Sequence, residues 1–328
     1  MSEQSNRIEY FRTPQDAREA HPRLDLDAAM PKEAFDAITG VYSYDRAHFV
    51  ICQLEINGQI CRQEHGKGWI MRRTDGVEGY IGKDCAHEHF KKDHAFTNAV
   101  AHARRQVRTG ALIERLRCLL DDPLRRDRIV DGFERQRALL REIRRIRDLL
   151  PFVVKETLER VAKGGRNAVW LEFEYLEKDE DKDGNVFEVS RWRPETIGVV
   201  DSPSSIDLGR VDSIGEAFRA ALTAYDYAKP SPEHPYRTLL GWAESLEALD
   251  RCESDLDELS NGLESFLRPM NLQLLCWLCR KESDQVDTVQ AVLRLTGSPA
   301  GGMAARSAWG AWRREISRAY QDRRFRVP

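Results

Sequence analysis

The sequence predicts an α+β, helix-dominated fold with a small antiparallel sheet and a helical C-terminal half. Three observations carry this. Apolar residues recur at spacings of three and four over long stretches, most regularly from Leu239 through Trp242, Leu246, Leu249, Cys252, Leu256, Leu259 and Leu263 to Phe266, the period of a buried helix face. Two other stretches alternate apolar and polar residues around turn signals, the period of a strand. Charged residues make up 32% of the chain and apolar ones 41%, a balance that favours packed helices with solvated outer faces over disorder.

Taken in order, residues 1–40 read as a polar arm leading into a short helix, with Pro31 at a first-turn position and Gly40 as its stop. Phe49 to Glu55 is strand-like, and Gly68 to Gly82 is a hairpin turning at Asp75-Gly76 between Trp69-Ile70-Met71 and Tyr80-Ile81. Helix dominates from about 95 to 163. Leu112, Leu116, Leu119 and Leu120 share a face there, and Asp122-Pro123 supplies a cap and a first-turn proline for the next helix. Ile129, Phe133, Leu140, Ile143 and Leu150 continue the stripe until Gly164-Gly165, although Gln136 and Arg147 on or beside it deny it a strict coiled-coil seam.

A second hairpin follows, in which Val169, Leu171, Phe173 and Tyr175 alternate with Trp170, Glu172 and Glu174, then an acidic turn, Val186 to Arg193, and a third short strand near Ile197 to Val200. Ser213 and Glu216 read as a capping box for a helix through Tyr227, and Lys229 to Pro235 as a linker. The stripe from Leu239 to Phe266 predicts one coiled-coil-like helix of about 30 residues, roughly 45 Å long. Three shorter helices near 270–281, 284–296 and 301–322 complete the chain. The expected divisions are 1–92, 93–165, 166–232 and 233–328.

A chain of 328 residues can build roughly two domains, each with a core that needs no disulfide staples. The net charge of −3 conceals segregation: residues 101–150 carry 14 Arg and 8 acids, whereas 241–267 carry one Arg and 8 acids. Seven cysteines, odd in number and unevenly spaced, predict a reducing compartment. There is no charged-then-apolar leader, and apolar stretches such as Leu149 to Val154 fall far short of the ~20 residues a membrane span needs. A cytoplasmic location without membrane association is the resulting expectation.

The strongest chemical signal is Cys61-Arg-Gln-Glu-His65, followed after the first hairpin by Cys85-Ala-His-Glu-His89. Each half offers a thiolate and an imidazole, and structural Zn²⁺ takes a closed tetrahedral set of such donors. With Cys85 opening a helix, His89 four residues on shares its face. The expected ligands are Cys61, His65, Cys85 and His89, with Cys52 or His87 able to replace one of them. Over about residues 48–90 this layout resembles a treble-clef-like zinc module, in which a knuckle, a β-hairpin and a helix start share one metal. The resemblance implies a structural zinc, although the ligand pairs here are separated by three residues rather than two. The competing reading is a small core in which Cys52 and Cys61 are buried apolar groups and the histidines lie on the surface.

Other motifs are weaker. Cys276-Trp-Leu-Cys279 has redox spacing, but its apolar setting lacks a thioredoxin-like βαβ pattern and marks core cysteines. Asp179-Glu-Asp181-Lys-Asp183-Gly184 copies half of a calcium loop, yet Ser190 stands where the bidentate glutamate belongs. Gly66-Lys-Gly68 lacks the rest of a phosphate loop, and Ser298 lacks a nucleophile elbow. Glu172 and Glu174 share a strand face, as carboxylates of a metal-dependent nuclease could.

With no recognisable catalytic set, the sequence points to a non-enzymatic, zinc-stabilised interaction or adaptor protein that docks a protein partner through helical surfaces, self-association being open to it. The alternative is nucleic-acid binding through the Arg-rich stretch from Arg104 to Arg147 and through Arg306, Arg313, Arg314, Arg318, Arg323 and Arg324, in a helix-turn-helix setting. In that C-terminal stretch Trp309, Trp312, Ile316 and Tyr320 read as anchors to the core.

Overall fold

The computed structural model describes residues 8–164, 167–182 and 185–328. Gly165, the turn residues Asp183-Gly184 and most of the polar N-terminal arm lie outside the described residues. The chain forms two compact units, residues 1–121 with 228–243 and residues 122–227 with 244–328. Helix dominates, the strands forming small, mainly antiparallel sheets.

The first unit is built on a four-stranded sheet of order β1-β2-β7-β8. It begins with β1 (Glu9–Phe11) and α1 (Pro14–Ala20), the latter capped by Thr13, whose side chain accepts from the Asp16 amide. The helix expected to end at Gly40 is instead β2 (Phe35–Ser43). Its alternation is shifted by a bulge between Ile38 and Gly40, so Ile38 joins one core cluster and Tyr42 the other. A Cβ at Gly40 would stand 2.9 Å from both Ile70 Cδ1 and Phe11 Cε2, so the glycine allows close sheet packing where it was read as a helix stop.

Four short strands follow: β3 (Val50–Ile51), β4 (Glu55–Ile56), β5 (Gln59–Ile60) and β6 (Glu64–His65). β3 pairs with β6 and β4 with β5. The expected hairpin is present as β7 (Lys67–Arg73) and β8 (Glu78–Gly82), with Gly76 at φ 88° in its turn. Next come α2 (Lys83–His89) and α3 (His94–Leu120), the latter capped by Asp93. Phe96, Val100 and Ala103 of α3 join Ile38, Trp69, Met71 and Ile81 in one core cluster. Phe11, Ala17, Tyr42, Ile70 and Tyr80 form another.

In the second unit, Leu124 donates its amide to Asp122 Oδ1 where the chain turns into α4 (Arg125–Leu149), and Pro151 separates this helix from α5 (Phe152–Gly164). β9 (Ala168–Glu180) and β10 (Val186–Val199) form the expected hairpin, but Ile197 to Val199 continue β10 through a bulge. The third strand is β11 (Phe325–Arg326), delivered to β9 from the end of the chain. α6 (Leu208–Tyr227) starts five residues before the expected cap, with Asp207 accepting the Gly209 amide. Ser213 lies inside the helix and donates to the Gly209 carbonyl.

The predicted long helix is divided into α7 (Tyr236–Glu247) and α8 (Leu249–Phe266). Helical hydrogen bonds nevertheless continue across the division, from the Ala248 amide to Glu244 and from the Cys252 amide to Ala248. The stripe from Leu246 through Leu249, Cys252, Leu256, Leu259 and Leu263 to Phe266 is buried, and α8 packs on α6 and α4. Beyond it lie α9 (Pro269–Leu274), a tight turn over Leu275–Leu278, α10 (Glu282–Leu295) and α11 (Gly302–Ala319).

Charges beside the α4–α8 contact are complementary. Arg128 meets Asp250 and Glu253 at 2.5 Å each, Arg135 pairs with Asp257, and Arg210 of α6 reaches Glu258 at 2.9 Å. These partly exposed pairs set register more than they add stability. A double-mutant cycle on Arg128→Ala and Glu253→Ala is expected to give a coupling of about 0.5–1 kcal/mol by urea denaturation. Coupling near zero would remove the pair from any role in registering α4 on α8.

Candidate metal centre

The site grows out of the short strands of the first unit. Asn57 and Gly58, at φ 53° and 78°, make the turn between β4 and β5, the left-handed pair that a tight two-residue hairpin requires. Cys52 precedes this hairpin and Cys61 follows it. The Cys61 amide donates to the Leu54 carbonyl, the Cys52 amide to Gln63 and the Arg62 amide back to Cys52. Arg62 is held at φ 61°, a left-handed conformation that costs a non-glycine residue roughly 1–2 kcal/mol. That strain turns the chain directly after Cys61.

Buried Gln53 fixes this segment to the sheet, accepting the Tyr80 amide at 2.7 Å and donating to the Asp25 and Ala28 carbonyls. Cys85 arrives from the other side, in the first turn of α2 immediately after β8. The three sulfurs of Cys52, Cys61 and Cys85 lie within 4.8 Å of one another, the set of metal-capable donors that stands together among the described residues. The Cys61 and Cys85 sulfurs are 3.6 Å apart. Tetrahedral zinc with Zn–S bonds of ~2.3 Å places its sulfurs about 3.8 Å apart, so this spacing suits a shared ion.

The electrostatics agree with the geometry. Burial pushes the Cys52 thiol above its ordinary value, although backbone hydrogen bonds from Gly82 and Leu54 oppose the shift. Burial, with the neighbouring Cys52 and Cys61 sulfurs, also raises Cys85 well above the thiol range. Cys52 and Cys85 therefore favour their neutral forms, and a bound divalent cation would reverse that preference.

Of the expected ligands, Cys61 and Cys85 are brought together, and Cys52 takes the third place. His65 and His89 lie outside the cluster. Half-exposed His89 belongs to the last turn of α2, one full turn beyond buried Cys85. His87 on the same helix is exposed. His65 Nδ1 lies 2.7 Å from the Tyr42 hydroxyl, which in turn donates to the Ile81 carbonyl at 3.2 Å. Because that carbonyl can only accept, the network assigns the His65 proton to Nδ1 and leaves a lone pair on Nε2. This Nε2 is buried without a hydrogen-bond partner among the described residues. Burial lowers the imidazole pKa to about 4.

His65 also adjoins the cluster through Gly82. A Cβ there would stand 2.5 Å from His65 Cδ2 and 2.8 Å from Nε2, while the Gly82 backbone serves the Cys52 sulfur. Asn57-Gly58 was the overlooked signal. Read as a hairpin turn, it places Cys52 and Cys61 at the two feet of one β-ribbon.

The remaining motifs resolve structurally. Cys276 and Cys279 are fully buried, burial raising both thiols, and Cys279 lies 3.5 Å from Thr288 Oγ1. Glu172 is tied to Arg326 at 2.6 Å, and Glu174 accepts from Ser190 at 2.6 Å. Asp181 receives the Asn185 amide across the acidic hairpin turn.

Among the C-terminal arginines, Arg313 lies over the Trp309 and Phe325 rings, Arg323 stacks 4.2 Å from the Tyr175 centroid, and Arg324 faces Glu174 at 3.9 Å. Arg306, Arg314 and Arg318 are exposed on α11. Two of the four expected anchors have ring contacts that hold that end: Trp309 packs on Trp277, and Tyr320 stacks on Phe173 at 4.1 Å.

The fold and site thus define a helix-dominated α+β protein with a three-cysteine cluster in which Cys52 and Cys85 are buried and Cys61 partly so. No family model, curated protein or solved structure matches the chain. Among the described residues, no helix is long and apolar enough to cross a membrane.

Proposed function

We propose that this chain is a non-enzymatic binding protein whose N-terminal unit is held together by a structural zinc ion on Cys52, Cys61 and Cys85. The observation that supports it is the convergence of three sulfurs from three separate segments. His65, outside the three-sulfur cluster as it stands, would become the fourth donor by moving its unpartnered Nε2 toward the sulfurs, with Tyr42 holding its Nδ1 as an outer partner commonly does for a metal-bound imidazole. A binding role is favoured because Glu172 and Glu174, the pair the sequence offered to a nuclease-like metal, are engaged by Arg326 and Ser190.

The leucine stripe from Leu246 to Phe266 is buried within its own unit, where α8 packs against α4 and α6. A protein partner would therefore meet charged helical faces. Nucleic-acid binding through the C-terminal arginines has only Arg306, Arg314 and Arg318 of its six residues outside the stacking and ion-pair contacts described above.

Protein purified without chelator is expected to contain one zinc per chain by elemental analysis. Cys52→Ser and His65→Ala should each lower zinc affinity, Tyr42→Phe should lower it by roughly 10–100-fold, and His89→Ala should leave it unchanged. Absence of metal after reconstitution under reducing conditions would sink the zinc assignment. Loss of zinc in His89→Ala but not in His65→Ala would replace the fourth ligand and keep the centre.

A further inference from the structure

We infer that the groove between α2 and α3 of the first unit binds the phosphodiester backbone of nucleic acid. The inference rests on the binding-protein reading and on a difference between two sets of cations. Six of the nine arginines of α4 have carboxylate partners: Arg125 meets Asp122, Arg126 meets Asp226, Arg128 meets Asp250 and Glu253, Arg135 meets Asp257, Arg145 meets Glu142, and Arg147 meets Glu159, while Arg137, Arg141 and Arg144 have none among the described residues. Two thirds of the cations in that part of the Arg-rich stretch are paired inside its own unit. The cations of the α2–α3 region are not. Among the described residues, no carboxylate pairs with Lys83, Lys91, Arg104, Arg105 or Arg108, all of them exposed.

Sequence and fold cooperate in concentrating this charge. From His94 to Ile113, α3 carries three arginines, two histidines and no carboxylate. Asp93, just before it, is engaged in capping the helix, accepting the Phe96 amide at 3.0 Å. The two helices enclose a cavity of about 500 Å³ whose walls include Trp69, Lys83, His87, Phe90, Lys91 and Arg104. Asp84 is the carboxylate that lines it. Arg104, exposed at the mouth, lies over the Trp69 ring at 5.4 Å from its centroid.

Unpaired cations at the rim, with the aromatics Trp69, Phe90 and Phe96 buried beneath them, match a ligand that presents a line of phosphates. An anionic lipid surface fits less well, because no large apolar residue of α2 or α3 is exposed to enter a bilayer. Cys85 lies in α2 beside Asp84 and Ala86, which line the groove, so the metal centre would hold the groove's wall in place.

The test is fluorescence-anisotropy titration of the full chain with a labelled 20-nucleotide single strand and a 20-base-pair duplex, at low and physiological salt. Wild type is expected to bind, with affinity falling steeply as salt rises. The Lys83→Ala, Lys91→Ala, Arg104→Ala triple variant should lose at least tenfold, and its salt slope should shrink by about two to three. The charge-retaining Lys83→Arg, Lys91→Arg, Arg104→Lys protein should keep its affinity, which separates lost charge from lost folding. An Arg306→Ala, Arg314→Ala, Arg318→Ala protein should bind as wild type does.

No binding by wild type at low salt, or equal binding by the Ala triple variant, would overturn the inference. So would binding to phosphatidylserine vesicles in place of oligonucleotides, or a loss confined to the α11 variant. Zinc content measured on the same samples separates the two readings. Metal-replete protein that ignores nucleic acid defeats this inference alone, and metal-free protein that binds it defeats the zinc assignment alone.

Discussion

Stripping the metal from this protein is expected to unfold the segment from about Val50 to Phe90. Structural zinc sites bind with about 10–16 kcal/mol of apparent free energy, comparable to the entire 5–15 kcal/mol stability of an ordinary domain. The local contacts are too few to replace it. β3 to β6 are two-residue strands, and isolated pairs of that length are not stable on their own. Cys52 and Cys85 also belong to the same core cluster as Met30, Leu54 and Ile81, so loosening the thiols loosens the sheet behind them. Hydrogen exchange with and without a chelator should show lost protection over this segment.

Because burial holds Cys52 and Cys85 protonated at neutral pH, zinc added to the metal-free protein should release close to one proton per ligating thiol. An exchange pattern indifferent to chelator, together with zinc uptake that releases no protons, would contradict a structural metal here.

The second large effect is expected from Leu249→Asp and Leu256→Asp in α8. Both side chains are fully buried, at 1% and 0% exposure. Each change removes the Leu packing, worth about 2–5 kcal/mol when cut to Ala, and introduces a carboxylate without a partner. A loss above about 4 kcal/mol is expected for either variant, enough to populate the unfolded chain under native conditions. Urea denaturation followed by circular dichroism measures it. Wild-type midpoints in both variants would show that the stripe is not the core of this unit. Glu253, one turn away on the flank of the same helix, should tolerate Gln with a cost near 1 kcal/mol.

How much of the architecture could be read in advance depended on whether a pattern was local. The α8 stripe and the Asp75-Gly76 hairpin are short-range signals, and the fold contains both; at Asp122-Pro123 the chain breaks as expected, but the cap is Leu124 and Pro123 precedes α4 instead of standing in its first turn. β2 was misread because Pro31, Gly40 and a polar run imitate helix punctuation. Its identity comes from its partners, β1 on one side and β7 on the other, which a local window does not contain. The same reason hid β11. Phe325 and Arg326 have no strand signal of their own and become a strand by pairing with Phe173 and Glu172.

The candidate site divides in the same manner. Cys61 and Cys85 were legible as donors because each precedes an imidazole at a regular spacing. Cys52, nine residues upstream of Cys61, is recruited by the Asn57-Gly58 ribbon. The spacing that made His89 attractive places it a helical turn beyond Cys85, outside the cluster.

The sequence by itself determined the helix-dominated α+β class, the stripe that forms α8, and two of the three thiols, since each is written in spacings of a few residues. Tertiary structure decided which cations find partners from distant parts of the chain. The arginines of α4 and of the α2–α3 region look alike along the chain, but Arg126, Arg128 and Arg135 lie beside carboxylates of α6 and α8 in the fold, whereas Arg104, Arg105 and Arg108 have no carboxylate partner among the described residues. Charge pairing depends on distances of a few ångströms between residues about a hundred positions apart, and a linear pattern holds no record of those distances.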